Sequence, residues 1–197
     1  MPVLWRRVVI FVMSLIPLGY IIYKTVFGLL GADPAKTIVL YTGEWTIYFL
    51  FFTLAVTPLR RLINFKNFHF RWLQVHRRMI GLFALFYALL HVAAFLVFIL
   101  GLDFSHFARE LVERPYILVT IPAVILLIIL GATSTKAMMR RLGKHWTRLH
   151  KSIYLIAVLA WLHVFMQVRS SYFEAVLFGL ILIALFLPRI YWALRRR

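Results

Sequence analysis

Cysteine is absent from the 197 residues, which excludes a disulfide framework, a cysteine-ligated zinc or iron–sulfur cluster and a thiol nucleophile. Acidic residues are scarce: six Asp plus Glu stand against 23 Lys plus Arg, a formal net charge of +17. Charged residues make up 15% of the chain and hydrophobic ones 63%, whereas a soluble domain carries about 25% charged and about 45–50% apolar residues. The nine glycines are scattered, with no G-x-G-x-x-G and no G-x-x-x-x-G-K, so no phosphate-cradling loop is expected. In a soluble chain the basic excess would suggest a nucleic-acid partner. Here the bases fall between apolar runs, so the expected partners are membrane lipids and not nucleic acid.

Long apolar runs dominate what is present. Residues 79–102 and 115–135 contain no Lys, Arg, Asp or Glu, and each exceeds the roughly 20 residues that cross about 30 Å of hydrocarbon. Four weaker runs are also read as spanning, because Lys24 and Arg189 lie near run ends where a long side chain can snorkel. The pattern predicts an all-α integral membrane protein, a single domain over 1–197. Its six transmembrane helices are expected near 8–30, 38–59, 79–102, 115–135, 151–168 and 175–194. Arg6 and Arg7 precede the first run, but no small-residue cleavage site follows, so that helix is expected to be retained. No soluble nucleotide domain and no internal repeat are expected.

Charge asymmetry sets the orientation. Lys24, Lys36, Arg109, Arg114 and Arg169 fall on one side with all six acids, and the other 18 bases fall on the opposite side. By the positive-inside rule the basic side is cytoplasmic, with both termini there. Trp5, Trp45, Trp72, Trp146 and Trp192 fall near expected helix ends, as an interfacial aromatic belt requires. Pro115 suits the first position of a helix, and Pro17 and Pro122 are expected to kink theirs.

Seven histidines are the metal-binding side chains present in any number. His91 and His163 lie inside expected spans, where an ionisable group is costly and marks a candidate site. Counting from the basic side at 1.5 Å per residue places His91 about 18 Å and His163 about 20 Å deep. Two depth-matched imidazoles among Phe, Leu and Val, with no carboxylate nearby, suit the axial positions of a b-type haem. A zinc site would need three or four converging donors, and the bland alternative is interhelical hydrogen bonding.

A second level is conceivable. His150 begins the fifth span 13 residues before His163, and His76 lies 15 residues before His91 on the same side. Together they could carry a second haem, giving one or two in all. His69, His106 and His145 read as solvated loop residues. Arg77, Arg78 and Arg148 are candidates for tuning a haem or binding quinone or propionate, beside their plainer role in positive-inside topology.

With these residues in place, the chain resembles the MsrQ (YedZ) family of haem-binding membrane subunits, within the ferric-reductase-like transmembrane superfamily. The resemblance rests on Gly31-Ala32-Asp33-Pro34 with Lys36, Thr42-Gly43, Thr57-Pro58-Leu59, Arg77-Arg78 with Gly81-Leu82, and Leu90-His91. It continues through Arg114-Pro115-Tyr116, Thr133-Ser134-Thr135 with Ala137-Met138, Arg141-Leu142-Gly143-Lys144, Trp146, Leu149-His150, Tyr154 and His163. The resemblance implies haem b carried by His91, His150 and His163, a flavin mononucleotide, and a location in the bacterial inner membrane. It further implies electrons drawn from the quinone pool or a cytosolic flavin reductase and delivered to the periplasmic molybdenum-cofactor reductase MsrP, which repairs methionine sulfoxide. No chemistry on the sulfoxide is expected in this chain, which holds no molybdenum or thiol site. Two other readings fit the residues: a cytochrome b561-like or ferric-reductase electron carrier, and a non-haem transporter or assembly factor in which the histidines are packing or proton-relay groups.

Overall fold

A computed structural model describes residues 3–62, 71–168 and 171–195, and all regular secondary structure among them is helical. Six helices are long and apolar enough to cross a membrane. They are built on α1 (Val3–Val26), α2 (Pro34–Leu62), α3 (Arg71–Ala94) with the turn that follows it, α5 (Pro115–Ala132), α8 (Ile153–Gln167) with the short helix before it, so that the fifth span runs Lys144–Gln167, and α9 (Phe173–Leu194). Three short helices connect them: α4 (Phe107–Glu113), α6 (Lys136–Leu142) and α7 (Lys144–Leu149). Six such helices fit a multi-pass membrane protein.

Several ends differ from the sequence-based expectation, each for a local reason. The first helix stops at Val26 and not at residue 30. Gly28 takes φ +66, its N–H donates to Thr25 O at 3.3 Å and Leu29 N–H to Lys24 O at 2.8 Å, a Schellman stop that glycine permits without strain. The third span leaves α geometry at Ala94 and continues as a π turn, Phe95–Ile99, with Leu100 N–H donating to Phe95 O at 3.0 Å. α5 stops at Ala132 and not at residue 135, because Thr133 and Ser134 turn their hydroxyls back onto Ile129 O and Leu130 O while Thr135 caps α6 from Met138 N–H. The connection carrying Arg140, Arg141 and Lys144, read only as polar, is thus two short helices.

Helices in lipid gain nothing from hiding apolar surface from one another, so close packing and polar locks must hold them. α2 and α3 form the central pair, joined by stacked rings: Phe49 lies 5.2 Å from Tyr87 and 5.7 Å from Phe83. Trp45, expected at the interface, instead packs inside this cluster against Tyr48 and Phe49, because α2 begins at Pro34 and carries it a further turn inward. On the far side of α9, Leu180, Ile183, Leu187 and Ile190 are exposed at helical spacing, which is the surface a bilayer covers.

Tyr87, fully buried, reaches from α3 into the backbone of α1. Its hydroxyl donates to Ser14 O at 2.8 Å and accepts from Leu18 N–H at 3.1 Å. Those two backbone groups are the i and i+4 partners of one helical hydrogen bond, so the hydroxyl is inserted into the ladder next to Pro17. Tyr41 adds a bond to Pro17 O at 3.1 Å. Tyr87→Phe should therefore destabilise the bundle by about 1–3 kcal/mol, the range for stranding buried polar groups. Denaturant unfolding in detergent would measure it, and an unchanged midpoint would mean that the α1 ladder recloses.

The basic ends meet at one end of the bundle. The Arg61 guanidinium lies 4.7 Å from the Trp192 ring, and Arg78 donates to Met139 Sδ at 3.1 Å. The acids sit at the other end or on the connections there. In α4, Glu110 pairs with Arg114 at 2.9 Å and Glu113 with Arg109 at 2.6 Å.

Candidate functional site

The depth count along α3 and α8 implies that His91 and His163 share a level, and the structure brings them together. Their ring centroids are 6.2 Å apart with planes at 83°. The Nδ1 atom of His91 lies 2.8 Å from Val39 O on α2. A carbonyl only accepts, so Nδ1 carries the proton and Nε2 keeps a free lone pair. The Nδ1 of His163 lies 3.0 Å from Tyr116 O and 2.5 Å from Thr120 Oγ1 on α5, while the Thr120 hydroxyl donates to Tyr116 O at 3.1 Å. The same tautomer follows. Orienting a ligand ring through its second nitrogen is how metal-binding histidines are generally held.

Room for the His91 ring comes from Gly43. A Cβ at that position would sit 3.0 Å from both Cε1 and Nδ1 of His91, so any larger residue would press the ring away from α2 by a few tenths of an ångström. Val39 and Gly43 are one turn apart on α2, and together they cradle the imidazole.

The two rings open into a cavity of about 970 Å³ between α2, α3, α5 and α8, at the upper end of the 300–1,000 Å³ typical of ligand pockets. Its deep walls are apolar, from Leu50, Ala88, Val124 and Leu127, and its outer mouth carries Lys36, Glu44, Arg114 and Glu174. The expectation that no carboxylate lies nearby is thereby corrected: Glu44, next to Gly43 on α2, lines the cavity, and the first turn of α9 brings Glu174 to it as well. Sequence spacing along a single helix could not reveal this.

Haem fits this donor set. Two metal–nitrogen bonds of about 2 Å plus the distance of about 1.1 Å from each ring centre to its nitrogen sum to about 6 Å, against the observed 6.2 Å. Among the described residues no three His, Asp or Glu side chains converge, so the donors here are two neutral imidazoles.

The second level is arranged differently. His150 Nε2 lies 3.1 Å from Thr133 Oγ1, and its ring stacks on Trp146 at 4.0 Å, with the Trp146 indole donating to Thr133 O at 2.9 Å. His76 on α3 is buried at 2% exposure, and Thr133 and Trp146 hold the His150 ring on the other side of this level. Arg77 points inward, donating to Thr57 Oγ1 at 3.2 Å, while Arg78 is exposed and turns to Met139. Arg148 and His145 are exposed, and His69 lies outside the described residues. Thr120, Tyr116, Val39 and Gly43 are the supporting groups that residue type alone did not single out, although Thr42-Gly43 and Arg114-Pro115-Tyr116 are stretches that carry the family resemblance.

A family model described as ferric reductase like transmembrane component matches residues 42–161, which include His91, Thr120 and His150. The protein-methionine-sulfoxide reductase heme-binding subunit MsrQ of Herminiimonas arsenicoxydans is 44% identical over 191 residues, covering 95% of this chain and 85% of that protein. Its namesakes from Polaromonas naphthalenivorans (strain CJ2) and Rhodospirillum rubrum are 40% and 39% identical, covering 95% and 97% of this chain and 86% and 90% of theirs. No solved structure matches the chain. A match spanning more than half the chain, together with relatives near 40% identity over almost all of it, places the chain in the family of ferric reductase like transmembrane components and among the MsrQ proteins.

Proposed function

We propose that this chain is a haem b-carrying electron-transfer subunit of the bacterial inner membrane, forming a single domain with both termini in the cytoplasm. In this reading it passes electrons from the quinone pool, or from a cytosolic flavin reductase, to the periplasmic reductase MsrP for repair of methionine sulfoxide. The observation that carries the reading is the pair His91 and His163, 6.2 Å apart with both Nδ1 atoms anchored on backbone carbonyls. The names of the relatives, heme-binding subunits of a protein-methionine-sulfoxide reductase, support the cofactor and the system it serves.

When bound, the haem supplies a one-electron redox centre. The chain's own residues hold it, keep water out and set its surroundings. His91 and His163, their Nδ1 atoms engaged by Val39 O and Tyr116 O, are the side chains that would hold it. Leu50, Ala88, Val124 and Leu127 exclude water around the rings, and Lys36, with Arg114 already paired to Glu110, brings positive charge to the mouth. His150, oriented by Thr133 and Trp146, remains a candidate ligand for a second haem, with His76 and the inward Arg77 beside it on α3. The 18 bases of the cytoplasmic end attract anionic lipid and an acidic donor protein. Flavin mononucleotide rests on the family resemblance alone.

The test is a reconstitution. Purified protein should show b-type bands that a quinol, or NADH with a flavin reductase, reduces, and that reoxidise within seconds when MsrP and methionine sulfoxide are added. Reoxidation by ferric chelates and not by MsrP would transfer the chain to the ferric-reductase reading. A colourless protein expressed with ample haem would overturn electron transfer altogether.

A further inference from the structure

At the basic end of the bundle two arginines turn away from the headgroups and into the protein. Arg189 on α9 lies six residues before Arg195, and Arg77 on α3 six residues after Arg71, each about 9 Å inward at the helical rise. A snorkelling side chain would reach back to the interface. Arg189 does the reverse: it donates to Leu185 O of its own preceding turn and to Leu54 O of α2. The second acceptor exists because Pro58, four residues on, has no N–H to give Leu54 O. The Arg189 guanidinium also sits 5.5 Å from the Tyr154 ring on α8, and its Nε is buried with no partner among the described residues. Arg77 donates to Thr57 Oγ1, one turn from Leu54, and lies within electrostatic reach of Tyr154, Arg189 and His150.

Among the described residues no Asp or Glu pairs with either cation. The protein has only six acids, and Asp33, Glu44, Asp103, Glu110, Glu113 and Glu174 all lie toward the opposite end. Two neighbouring guanidinium groups in low dielectric, with the Arg189 Nε unpartnered among the described residues, are unfavourable unless an anion joins them, and a guanidinium fork matches carboxylate and phosphate oxygens. We propose that Arg77 and Arg189 form a buried site for the oxyanion, a carboxylate or phosphate, of a membrane-embedded ligand seated between α2, α3, α8 and α9 at the basic end. The site stands on these two side chains and is separate from the His91–His163 cavity.

The experiment uses the full chain purified from the same membranes as wild type, Arg77→Gln, Arg189→Gln and the double variant. Native mass spectrometry gives bound phospholipid, and haem and flavin are quantified per chain. The expected result is a stoichiometric anionic ligand on the wild type that falls at least tenfold in the double variant, while a monodisperse, helical protein remains. Loss of phospholipid alone assigns a lipid phosphate; loss of haem or flavin at constant phospholipid assigns a cofactor's carboxylate or phosphate. Arg77→Lys and Arg189→Lys keep charge but lose the fork, and they carry the same comparison if the double variant does not fold, with at least a twofold loss expected. Equal ligand content in wild type and folded variants, or none on the wild type, overturns the site. Retention of the spectrum governed by His91 and His163 in the arginine variants keeps this outcome distinct from failure of the haem reading.

Discussion

Replacing His91 or His163 by alanine should weaken binding of the haem held by that pair more than about 100-fold, so that this haem is lost on purification while helical content stays intact. The ring centroids lie 6.2 Å apart, a separation that two metal–nitrogen bonds would span, and each ring is held through Nδ1 by a backbone carbonyl. Groups that merely orient a metal ligand are worth about 10–100-fold in affinity, so losing a ligand itself should exceed 100-fold. His150→Ala has a different expected result. Its ring is engaged by Thr133 and Trp146, about 20 Å of helix away from His163, so the haem of the outer pair should survive. If the wild type carries two haems per chain, this variant should carry one. Imidazole added to His91→Gly or His163→Gly should restore the bands, which a purely structural histidine would not allow. Unchanged haem content in both alanine variants would remove the pair from any ligand role.

How far this site could be read from sequence follows from what each residue depends on. Spans 79–102 and 115–135 are visible because charge cannot be buried in hydrocarbon without compensation, and a charge-free run of that length has few alternatives. The shared level of His91 and His163 is visible because a helix is a ruler: 1.5 Å per residue converts position into depth. Rotation about the helix axis and the identity of neighbours are not measured by that ruler. Glu44 and Glu174 therefore entered the cavity unannounced, and Trp45 turned into the core and not to the interface. Thr120 escaped notice because a threonine inside an apolar span ordinarily bonds its own backbone, as Thr120 also does; only α8 alongside α5 gives it a histidine. Helix ends were missed where one residue decided them, as with Gly28, and the π turn beyond Ala94 has no sequence signature of its own. The inward course of Arg189 depends on a carbonyl freed by Pro58 on another helix, a coupling that no local pattern displays.

Gly43 offers a sharper test of the cradle than removal of a ligand, because stability and haem binding should move in opposite directions. In a helix interior, glycine to alanine is ordinarily stabilising by roughly 0.5–1 kcal/mol, since the unfolded chain loses freedom. Here the new Cβ would stand 3.0 Å from Nδ1 and Cε1 of His91, closer than ordinary van der Waals contact, so the ring must shift by a few tenths of an ångström. That shift strains the 2.8 Å bond to Val39 O and turns Nε2 away from the point it shares with His163. Gly43→Ala should retain haem with altered bands and about tenfold weaker binding, the lower end of the effect of outer-shell changes. Gly43→Val adds two methyl groups against the same ring and should lose haem almost as completely as His91→Ala. Denaturant unfolding of the haem-free proteins supplies the other half: the alanine variant should be no less stable than the wild type. A Gly43→Val protein with wild-type haem content and spectrum would mean that the His91 ring is not held against α2, and that Val39 is not what sets its tautomer.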